Sequence, residues 1–287
     1  WIKIMNYYNL IKIGENFLAK KKFLRPRYES ILLFSKLNKV NFNQYFINKK
    51  KKISKTQSRI FLKKIVLRGM GKPLSKIIGK KEFFSRDFFV NCQTLDPRPE
   101  TELIIDFIKR FEDKRPASLK ILDLGTGSGC ILISICLELN KKITVTGDGI
   151  DISSDALEIA KKNGRYHNLG SEINFFKSNW FSNVKNKYDI IVSNPPYIKK
   201  SEFSFLPEEV KSFDPRVSLC GGDDGLNSYR RIAIEAKYYL ENDGLICVEV
   251  GNNQSRKVKK IFELKQFTTV DVLKDLFNIE RVIIFKK

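Results

Sequence analysis

The sequence predicts an α/β protein with a mostly parallel, doubly wound sheet, preceded by a small helical domain and a linking β-hairpin. Its 287 residues exceed the roughly 100–200 residues of a typical single domain. Residues 1–75 carry apolar residues at helical spacing, whereas residues 100–287 alternate seven apolar strands with helices. Short aromatic runs at 76–99 are typical of a hairpin. We therefore expect domains at 1–75 and 100–287, joined by a hairpin linker at 76–99.

The composition is that of a globular protein with a strong positive charge. Apolar residues make up 42% and charged residues 30% of the chain, and the net charge is +21. Such a charge favours an anionic partner such as nucleic acid. However, the excess is mostly lysine spread over every segment, and arginine, the better reader of phosphates and bases, is sparse. Direct nucleic-acid binding is therefore a minor expectation.

Several function classes are excluded by residue usage. The five cysteines are odd in number and include no C-x-x-C pair, so neither a disulfide framework nor a zinc site is expected. His167 is the only histidine, which removes the main component of Ser-His-Asp, Cys-His and histidine-based metal sites. No apolar run reaches the roughly 18 residues of a membrane span. We expect a cytoplasmic, metal-free protein; because the chain begins with Trp1, Met5 is a candidate for the natural start.

The helical region at 1–75 is expected to contain several short amphipathic helices. Pro26 marks a helix start, and the four lysines at 49–52 are most simply a solvated loop. Two interpretations of the region stay open. It is a docking module for a macromolecule, or it is a helical cap on the following domain.

The linker is expected to form a hairpin and then open a helix. Residues 85–87 are predicted to turn between strands at 83–84 and 88–90. The segment Asp-Pro-Arg-Pro-Glu-Thr-Glu at 96–102 ends the extended chain, and Pro99 suits an early helix position. A helix start does not explain Arg98, which we expect at the mouth of a pocket.

The first strand of the α/β domain runs into a glycine-rich turn. Its motif, Asp-x-Gly-x-Gly-x-Gly at 123–129, precedes an apolar helix at 131–139. Glycines at this point let the backbone approach a ligand at a helix N-terminus. The third glycine comes one residue earlier than in a dinucleotide fingerprint, and no P-loop motif is present. The motif resembles the first motif of class I S-adenosylmethionine-dependent methyltransferases, which have a Rossmann-like fold.

The second strand, predicted at 143–152, ends in an acidic residue. Asp151 lies a little over twenty residues past the glycines, where a carboxylate accepts both ribose hydroxyls of a nucleoside. Asp148 competes for this role, but it precedes the last apolar residue of the strand. The alternative role for Asp151 is the N-cap of the next helix.

The third and fourth predicted strands deliver two further polar loops. The strand at 173–176 leads to Asn179 and Trp180. In class I methyltransferases the corresponding loop lies against the adenine, so both residues are expected to contact it; the alternative is that Trp180 is a buried structural residue. The strand at 188–193 leads to Asn-Pro-Pro-Tyr at 194–197. Two prolines end the strand and leave rigid carbonyls, so the motif forms either a pocket for a planar polar group or a simple turn.

The remaining elements complete a sheet that is covered on both faces. Strands are predicted at 245–250, 268–273 and 281–285, and helices at 229–240 and 255–264. By the methyltransferase analogy, the last strand is antiparallel to the others.

The pocket at 194–197 suits an acceptor with a planar NH2 group. The Asn194 side-chain oxygen and the Pro195 carbonyl could accept hydrogen bonds from its two N–H groups, while the Tyr197 ring packs against the flat group. Aligning this nitrogen with an activated methyl is catalysis by positioning and needs no histidine or metal. Two substrate classes present such a group: the exocyclic amine of adenine or cytosine, and the glutamine side-chain amide.

Five motifs together resemble the release factor glutamine methyltransferases of the PrmC/HemK type. They are residues 96–102, 123–129, 178–181, 192–198, and 221–226 with Tyr229 and Arg230. The resemblance implies transfer of a methyl group from S-adenosyl-L-methionine to the glutamine of the Gly-Gly-Gln loop of peptide chain release factors. A DNA or RNA exocyclic-amine methyltransferase is the alternative. The chain departs from many members at Asp96, where they carry an apolar residue, and at Asn179, where they carry Asp.

The predicted site follows from these motifs, and a monomer is expected. The predicted catalytic residues are Asn194, Pro195 and Tyr197. The predicted cofactor-binding residues are Asp123, Gly125, Thr126, Gly127, Ser128, Gly129, Asp151, Asn179, Trp180 and Asn194. The predicted substrate-binding residues are Arg98, Asn194, Pro195, Pro196 and Tyr197.

Overall fold

The computed structural model of the chain describes residues 5–111, 118–140 and 143–287. The strands are β1 (Met5–Asn6), β2 (Lys52–Ile53), β3 (Lys80–Phe83), β4 (Arg86–Phe89), β5 (Ser118–Leu124), β6 (Thr144–Asp151), β7 (Ile173–Lys177), β8 (Tyr188–Ser193), β9 (Leu240–Glu249), β10 (Thr268–Lys274) and β11 (Glu280–Lys286). The helices are α1 (Tyr7–Lys20), α2 (Pro26–Asn38), α3 (Phe42–Ile47), α4 (Lys55–Gly69), α5 (Leu74–Ile78), α6 (Glu102–Phe111), α7 (Cys130–Leu139), α8 (Ser154–Tyr166), α9 (Glu208–Phe213), α10 (Asn227–Tyr239) and α11 (Ser255–Glu263).

The chain divides into two compact units. The first comprises the residues up to Gly79 together with Pro207–Phe213, and the second comprises Lys80–Leu206 and Asp214–Lys287. The hairpin strands β3 and β4 belong to the second unit. The short helix α9 belongs to the first unit, although it lies far along the chain.

The first unit is a helical cluster around one apolar core. Leu10, Phe34 and Phe61 of α1, α2 and α4 are fully buried there. Helix α2 begins at Pro26 as predicted, because the fixed φ of proline suits the first helical turn. The antiparallel pair β1–β2 was not predicted from the sequence, since a strand of two residues shows no periodicity.

Arg68 joins helix α9 to this unit by ion pairs. Its buried guanidinium contacts Glu29 of α2 and Glu209 of α9. A buried charge is tolerated when it is paired and hydrogen-bonded, and here two carboxylates share the same cation. The hydrogen bonds to Glu29 and Glu209 raise the pKa of Arg68.

The second unit contains the predicted mostly parallel, seven-stranded sheet. The strand order is β10-β11-β9-β8-β5-β6-β7. Strands β5 to β9 pair in parallel, and β11 is antiparallel to both of its neighbours, β9 and β10. The predicted fold class, including the antiparallel last strand, is confirmed.

Alternate residues of the central strands enter separate cores on the two faces of the sheet. Ile121 and Ile190 pack with α6 and α7 on one face, whereas Leu122 and Ile191 pack with α10 and α11 on the other. Burial on both faces explains why these strands are continuous apolar runs rather than alternating ones. Among the helices of the described ranges, none is long and apolar enough to cross a membrane.

The hairpin turn differs from the prediction. The turn consists of Phe84 and Ser85, both with positive φ (48° and 59°), and not of residues 85–87. Turns of this kind usually contain Asn or Gly. Here tertiary contacts hold the strained backbone: the Phe84 N–H donates to Glu102 at 2.7 Å, and the Phe84 carbonyl accepts from Arg86 at 3.1 Å. The sequence pattern contains no sign of these contacts.

Candidate active site

The carboxyl ends of five neighbouring strands lie in one row across the sheet. The register pairs Val248 with Ser193, Ser193 with Leu124, Leu124 with Ile150, and Ile150 with Phe176. Strand β5 lies between β6 and β8, so the strand order reverses there. In open α/β sheets such a switch point opens a ligand-binding crevice at the carboxyl ends. The loops that follow β5, β6, β7 and β8 therefore start at the same level, around one crevice.

A cavity of about 390 Å³ occupies this position. Seven of the predicted site residues line it: Gly125, Gly127, Asp151, Asn179, Trp180, Asn194 and Pro196. They come from four separate loops. The sheet thus brings together the cofactor motifs and the Asn-Pro-Pro-Tyr motif that the sequence places far apart.

The glycine-rich turn leaves its backbone open towards the cavity. Gly125 and Gly127 have left-handed φ values of 70° and 55°, which side chains rarely adopt. A Cβ added at Gly125 would meet no atom within 4 Å, and one at Gly127 would meet only the Gly125 carbonyl at 4.0 Å. Side chains here would therefore project into open space and narrow the cavity.

The other predicted residues of this turn lie outside the cavity lining. Asp123 is fully buried and accepts a hydrogen bond from the Thr126 hydroxyl at 2.7 Å. Burial raises the pKa of Asp123 to about 7. The Ser128 carbonyl accepts from Asn163, and Gly129 lets helix α7 start close to α8. These residues stabilise the conformation of the turn from outside the cavity.

The structure separates the two acidic candidates of β6. Asp151 lines the cavity, and its two oxygens accept the Gly127 and Ser153 backbone N–H groups, each at 2.9 Å. Asp148 accepts the Tyr188 hydroxyl at 2.6 Å and does not line the cavity. The side chain of Ser153, not Asp151, caps helix α8. Burial raises the pKa of Asp151.

The loop after β7 presents Asn179 and Trp180 to the cavity. Trp180 is half-buried and has a φ of 55°, a left-handed conformation that is uncommon for a bulky residue. The Ser178 hydroxyl holds this backbone by donating to the Trp180 carbonyl. Asn179 occupies the N-cap position of the short 3-10 helix Trp180–Asn183, and its backbone N–H donates to Ser182 Oγ at 3.1 Å. Strain at a cavity wall is typical of functional sites.

The Asn194 amide is held by a chain of hydrogen bonds. Its Nδ2 donates to Thr101 Oγ1 at 3.0 Å, and the Thr101 hydroxyl donates to the Glu249 carboxylate. Thr101 and Glu249 are both buried, with 2% exposure each. Among the described residues, none donates to Asn194 Oδ1. The amide oxygen is therefore available at the cavity.

The neighbouring carbonyls of the motif are used differently. The Pro196 carbonyl accepts from Ser228 at 3.1 Å, and the Tyr197 carbonyl accepts from Gln254 at 2.9 Å. No group in the described part of the chain donates to the Pro195 carbonyl. This carbonyl is thus the second acceptor that the motif leaves unused.

The glycine-rich segment at 221–225 packs against the backbone of this motif. A Cβ at Gly225 would lie 2.4 Å from the Tyr197 carbonyl oxygen, and one at Gly221 would lie 2.8 Å from that of Pro196. Both distances are too short for a real Cβ atom. Glycine at these positions therefore permits close packing of two loops, and this packing fixes the Pro-Pro turn.

Three of the predicted substrate-binding residues, Arg98, Pro195 and Tyr197, do not line the cavity. Arg98 forms an ion pair with Asp214 at 3.0 Å. The Tyr197 side chain lies on a second cavity of about 400 Å³, beside Gly251 and Gln254. Burial raises the pKa of Tyr197. Contact of Arg98, Pro195 or Tyr197 with a substrate stays a prediction.

Comparison with known proteins identifies the family. The family model for the methyltransferase small domain matches residues 100–207. The release factor glutamine methyltransferase of Agrobacterium fabrum is 36% identical over 266 residues, which cover 91% of each chain. The chain belongs to the release factor glutamine methyltransferase family.

Two further similarities concern a longer sequence relative and a solved structure. A bifunctional methyltransferase of Rickettsia bellii is 36% identical, covering 96% of this chain but 52% of its own length. The chain thus spans about half the length of that relative. A methyltransferase structure from Pyrococcus furiosus has a TM-score of 0.52 at 18% identity, covering 82% of this chain and 99% of its own. At this identity the likeness supports the fold alone.

Several cavity residues of this release factor glutamine methyltransferase family member were not predicted from the sequence. They are Gln93, Thr94, Leu95, Pro215, Val217, Ser218, Cys220, Asn227, Ser228 and Arg231. Most lie in loops or at a helix start without a recognisable motif. The resemblance included residues 221–226, Tyr229 and Arg230 but neither Asn227 nor Ser228, so it indicated only the neighbourhood of the residues that start α10.

Proposed function

We propose that this chain transfers the methyl group of S-adenosylmethionine to the side-chain amide nitrogen of the glutamine in the Gly-Gly-Gln motif of peptide chain release factors. The observation that carries the proposal is Asn194 Oδ1, an acceptor without a donor among the described residues, in the lining of the cavity to which Asp151 also contributes. The carbonyl of the next residue, Pro195, is likewise unused. The name of the Agrobacterium relative supports the same substrate. Release factors act in the cytoplasm, so the reaction would take place there.

The hydrogen-bonding groups of the cavity and the exposed backbone of its glycine-rich turn fit S-adenosylmethionine. A carboxylate offers about four lone-pair sites, and Asp151 uses two of them on backbone N–H groups. Two remain for the ribose hydroxyls. Gly125 and Gly127 would hold the methionine end, and Asn179 and Trp180 the adenine. When bound, this group supplies an activated methyl on a sulfonium.

Catalysis by this chain consists of orienting the acceptor nitrogen. Asn194 Oδ1 would accept one N–H of the glutamine amide, and the Pro195 carbonyl would accept the other. Both acceptors are rigid, because Thr101 holds the asparagine side chain and two prolines hold the backbone. These two hydrogen bonds would orient the substrate amide so that the nitrogen lone pair points towards the methyl group. No general base is needed, since the methylated nitrogen is acidic and loses its proton to water.

The helical unit is proposed to dock the release factor. The sequence pattern left this role open as one of two interpretations, the other being a helical cap on the following domain. The unit exposes several apolar side chains: Leu24, Ile47 and Met70 are 99%, 83% and 71% exposed. Deleting the part of this unit that precedes Lys80 should raise the KM for intact release factor more than the KM for a short Gly-Gly-Gln peptide.

A competition assay tests the proposed substrate class. The purified chain is incubated with methyl-labelled S-adenosylmethionine, a release factor and total RNA and DNA in one reaction. The proposal predicts label in the release factor alone. Label in nucleic acid, with an unlabelled release factor, would instead support an adenine N6 methyltransferase.

Alanine at Gly127 is expected to weaken cofactor binding by about tenfold or more. The left-handed φ of 55° costs a residue with a side chain about 1–2 kcal/mol, and the added methyl would narrow the cavity. Isothermal titration calorimetry with S-adenosylmethionine measures the change. Gly170→Ala is the matched control, because no atom lies within 4 Å of its Cβ position and its φ is not left-handed. Equal affinities for the two variants would contradict the proposed position of the cofactor.

A further inference from the structure

Three side chains far apart in the sequence form a hydrogen-bonded chain that ends at the cavity. Thr101 belongs to the 3-10 helix Pro99–Thr101, Glu249 ends β9, and Asn194 follows β8. The Asn194 amide donates to Thr101 at 3.0 Å, and Thr101 donates to Glu249. The proposed function uses Thr101 only as a support that keeps Asn194 rigid, and it leaves Glu249 without a role.

The chemistry of the pair fixes the direction of every hydrogen bond in the chain. When Glu249 is ionised, its carboxylate only accepts, so the single hydroxyl proton of Thr101 must point to Glu249. Thr101 Oγ1 is then an acceptor towards Asn194, and only the NH2 end of the Asn194 amide can face it. The oxygen end must therefore face the cavity. This argument does not depend on how the two ends of the amide were assigned.

The direction matters because an inverted Asn194 would repel the acceptor. A glutamine amide presents two N–H donors and needs oxygen atoms opposite them. If the Asn194 NH2 pointed into the cavity, donor would face donor, and the lone pair of the acceptor nitrogen would not be aligned. An asparagine without a fixed partner populates both orientations, since they differ only by a rotation about χ2.

We propose that Thr101 and Glu249 are positioning residues that lock the Asn194 amide with its oxygen towards the methyl-accepting nitrogen. The proposal rests on the proposed function, because it assigns Asn194 Oδ1 the role of acceptor for a substrate NH2. Neither residue lines the cavity, so both act through Asn194.

Protonation of Glu249 would remove the lock. Burial raises the pKa of Glu249 to about 7, against the hydrogen bond from Thr101, which lowers it. Glu100 raises this pKa further, and Arg281 and Arg98 lower it. Tyr197 and Tyr229 are the other titratable groups nearby, and the pKa of each is itself raised, so both stay neutral here. A protonated Glu249 can donate to Thr101, whose hydroxyl then turns to Asn194 and favours the inverted amide.

The first test compares Thr101→Val with Thr101→Ser. Valine keeps the shape and removes the hydroxyl, whereas serine keeps the hydroxyl. We expect Thr101→Val to lower kcat about 10- to 100-fold, as misplacement of a positioning group does, with little change in the KM for release factor or in the calorimetric affinity for S-adenosylmethionine. Thr101→Ser should restore most of kcat. Equal kcat values for wild type and a folded Thr101→Val would overturn the proposal.

A spectroscopic readout follows the lock without turnover. The Asn194 side-chain NH2 signals, assigned by their loss in Asn194→Ala, should exchange slowly with solvent in the wild type. They should exchange quickly in Thr101→Val and slowly in Thr101→Ser. Unchanged exchange in Thr101→Val would also overturn the proposal, since the lock would then lie elsewhere.

The pH dependence of kcat gives a second, independent test. The lock requires ionised Glu249, so activity is present above its pKa and is lost as the pH falls through about 7. Glu249→Gln removes the titration and keeps an oxygen that can accept from Thr101, so this acid limb should disappear. A wild-type profile without an acid limb, or a limb that persists in Glu249→Gln, would overturn the proposal. If wild type itself fails to methylate release factor, the proposed function fails first, which separates the two cases.

Discussion

Replacing Asn194 by alanine is expected to lower kcat about 10²- to 10³-fold, the range found when one pre-aimed polar group is removed from a catalytic site. The variant loses the side-chain oxygen that accepts one N–H of the substrate amide. The Pro195 carbonyl and the glycine-rich turn are not changed. Affinity for S-adenosylmethionine should therefore stay within about threefold of wild type, well under the tenfold that corresponds to about 1.4 kcal/mol.

The measurement is single-turnover methyl transfer, combined with calorimetric titration of the cofactor. Asn242→Ala is a suitable control, because Asn242 is an exposed asparagine near the amino end of β9, at the opposite end of the strand from Glu249. It should behave like wild type in both assays. Turnover by Asn194→Ala at the wild-type rate would remove Asn194 from the proposed mechanism.

Replacing Asp151 by asparagine is expected to weaken the binding of S-adenosylmethionine about 10- to 100-fold. A hydrogen bond to a charged group contributes about 1.5–3 kcal/mol, and the asparagine retains only one acceptor oxygen for the ribose. The effect also has a pH signature. Because burial raises the pKa of Asp151, cofactor affinity in the wild type should fall as the pH decreases through that raised pKa. Asp151→Asn should lack this dependence.

Asp148→Asn is the matched control for this prediction. Both aspartates lie on β6, three residues apart, but Asp148 accepts the Tyr188 hydroxyl and lies away from the cavity. Its replacement should lower the thermal stability and leave cofactor affinity unchanged. A larger loss of affinity in Asp148→Asn than in Asp151→Asn would reverse our assignment of the ribose-binding carboxylate.

Local patterns predicted the sheet and the loops that carry most of the site. The sequence contains apolar runs that end near Gly125, Asp151 and Asn194. Because the carboxyl ends of parallel strands lie at the same edge of a sheet, these three residues were expected to lie close together. The choice of Asp151 over Asp148 also followed from its position after the last apolar residue. In the structure Asp151 lines the cavity and Asp148 does not, and the role of Asp151 towards the ribose stays a prediction.

Such local patterns could not predict contacts between residues that are far apart in the sequence. Thr101 and Glu249 stand 148 residues apart, and neither lies in a motif that signals a hydrogen-bonded pair. The Phe84–Ser85 turn lacks the usual turn residues because Glu102 and Arg86 stabilise it from outside. Arg98 is drawn to Asp214, which no local rule connects with it. In each case the deciding partner is set by tertiary packing.

Tandem mass spectrometry of the Gly-Gly-Gln peptide from a release factor treated with this chain and S-adenosylmethionine tests the central claim most directly. The account predicts one added methyl group, located on the glutamine side-chain nitrogen, and none in a release factor whose motif reads Gly-Gly-Ala. An unmodified glutamine, together with methylated adenine recovered from nucleic acid in the same reaction, would contradict it.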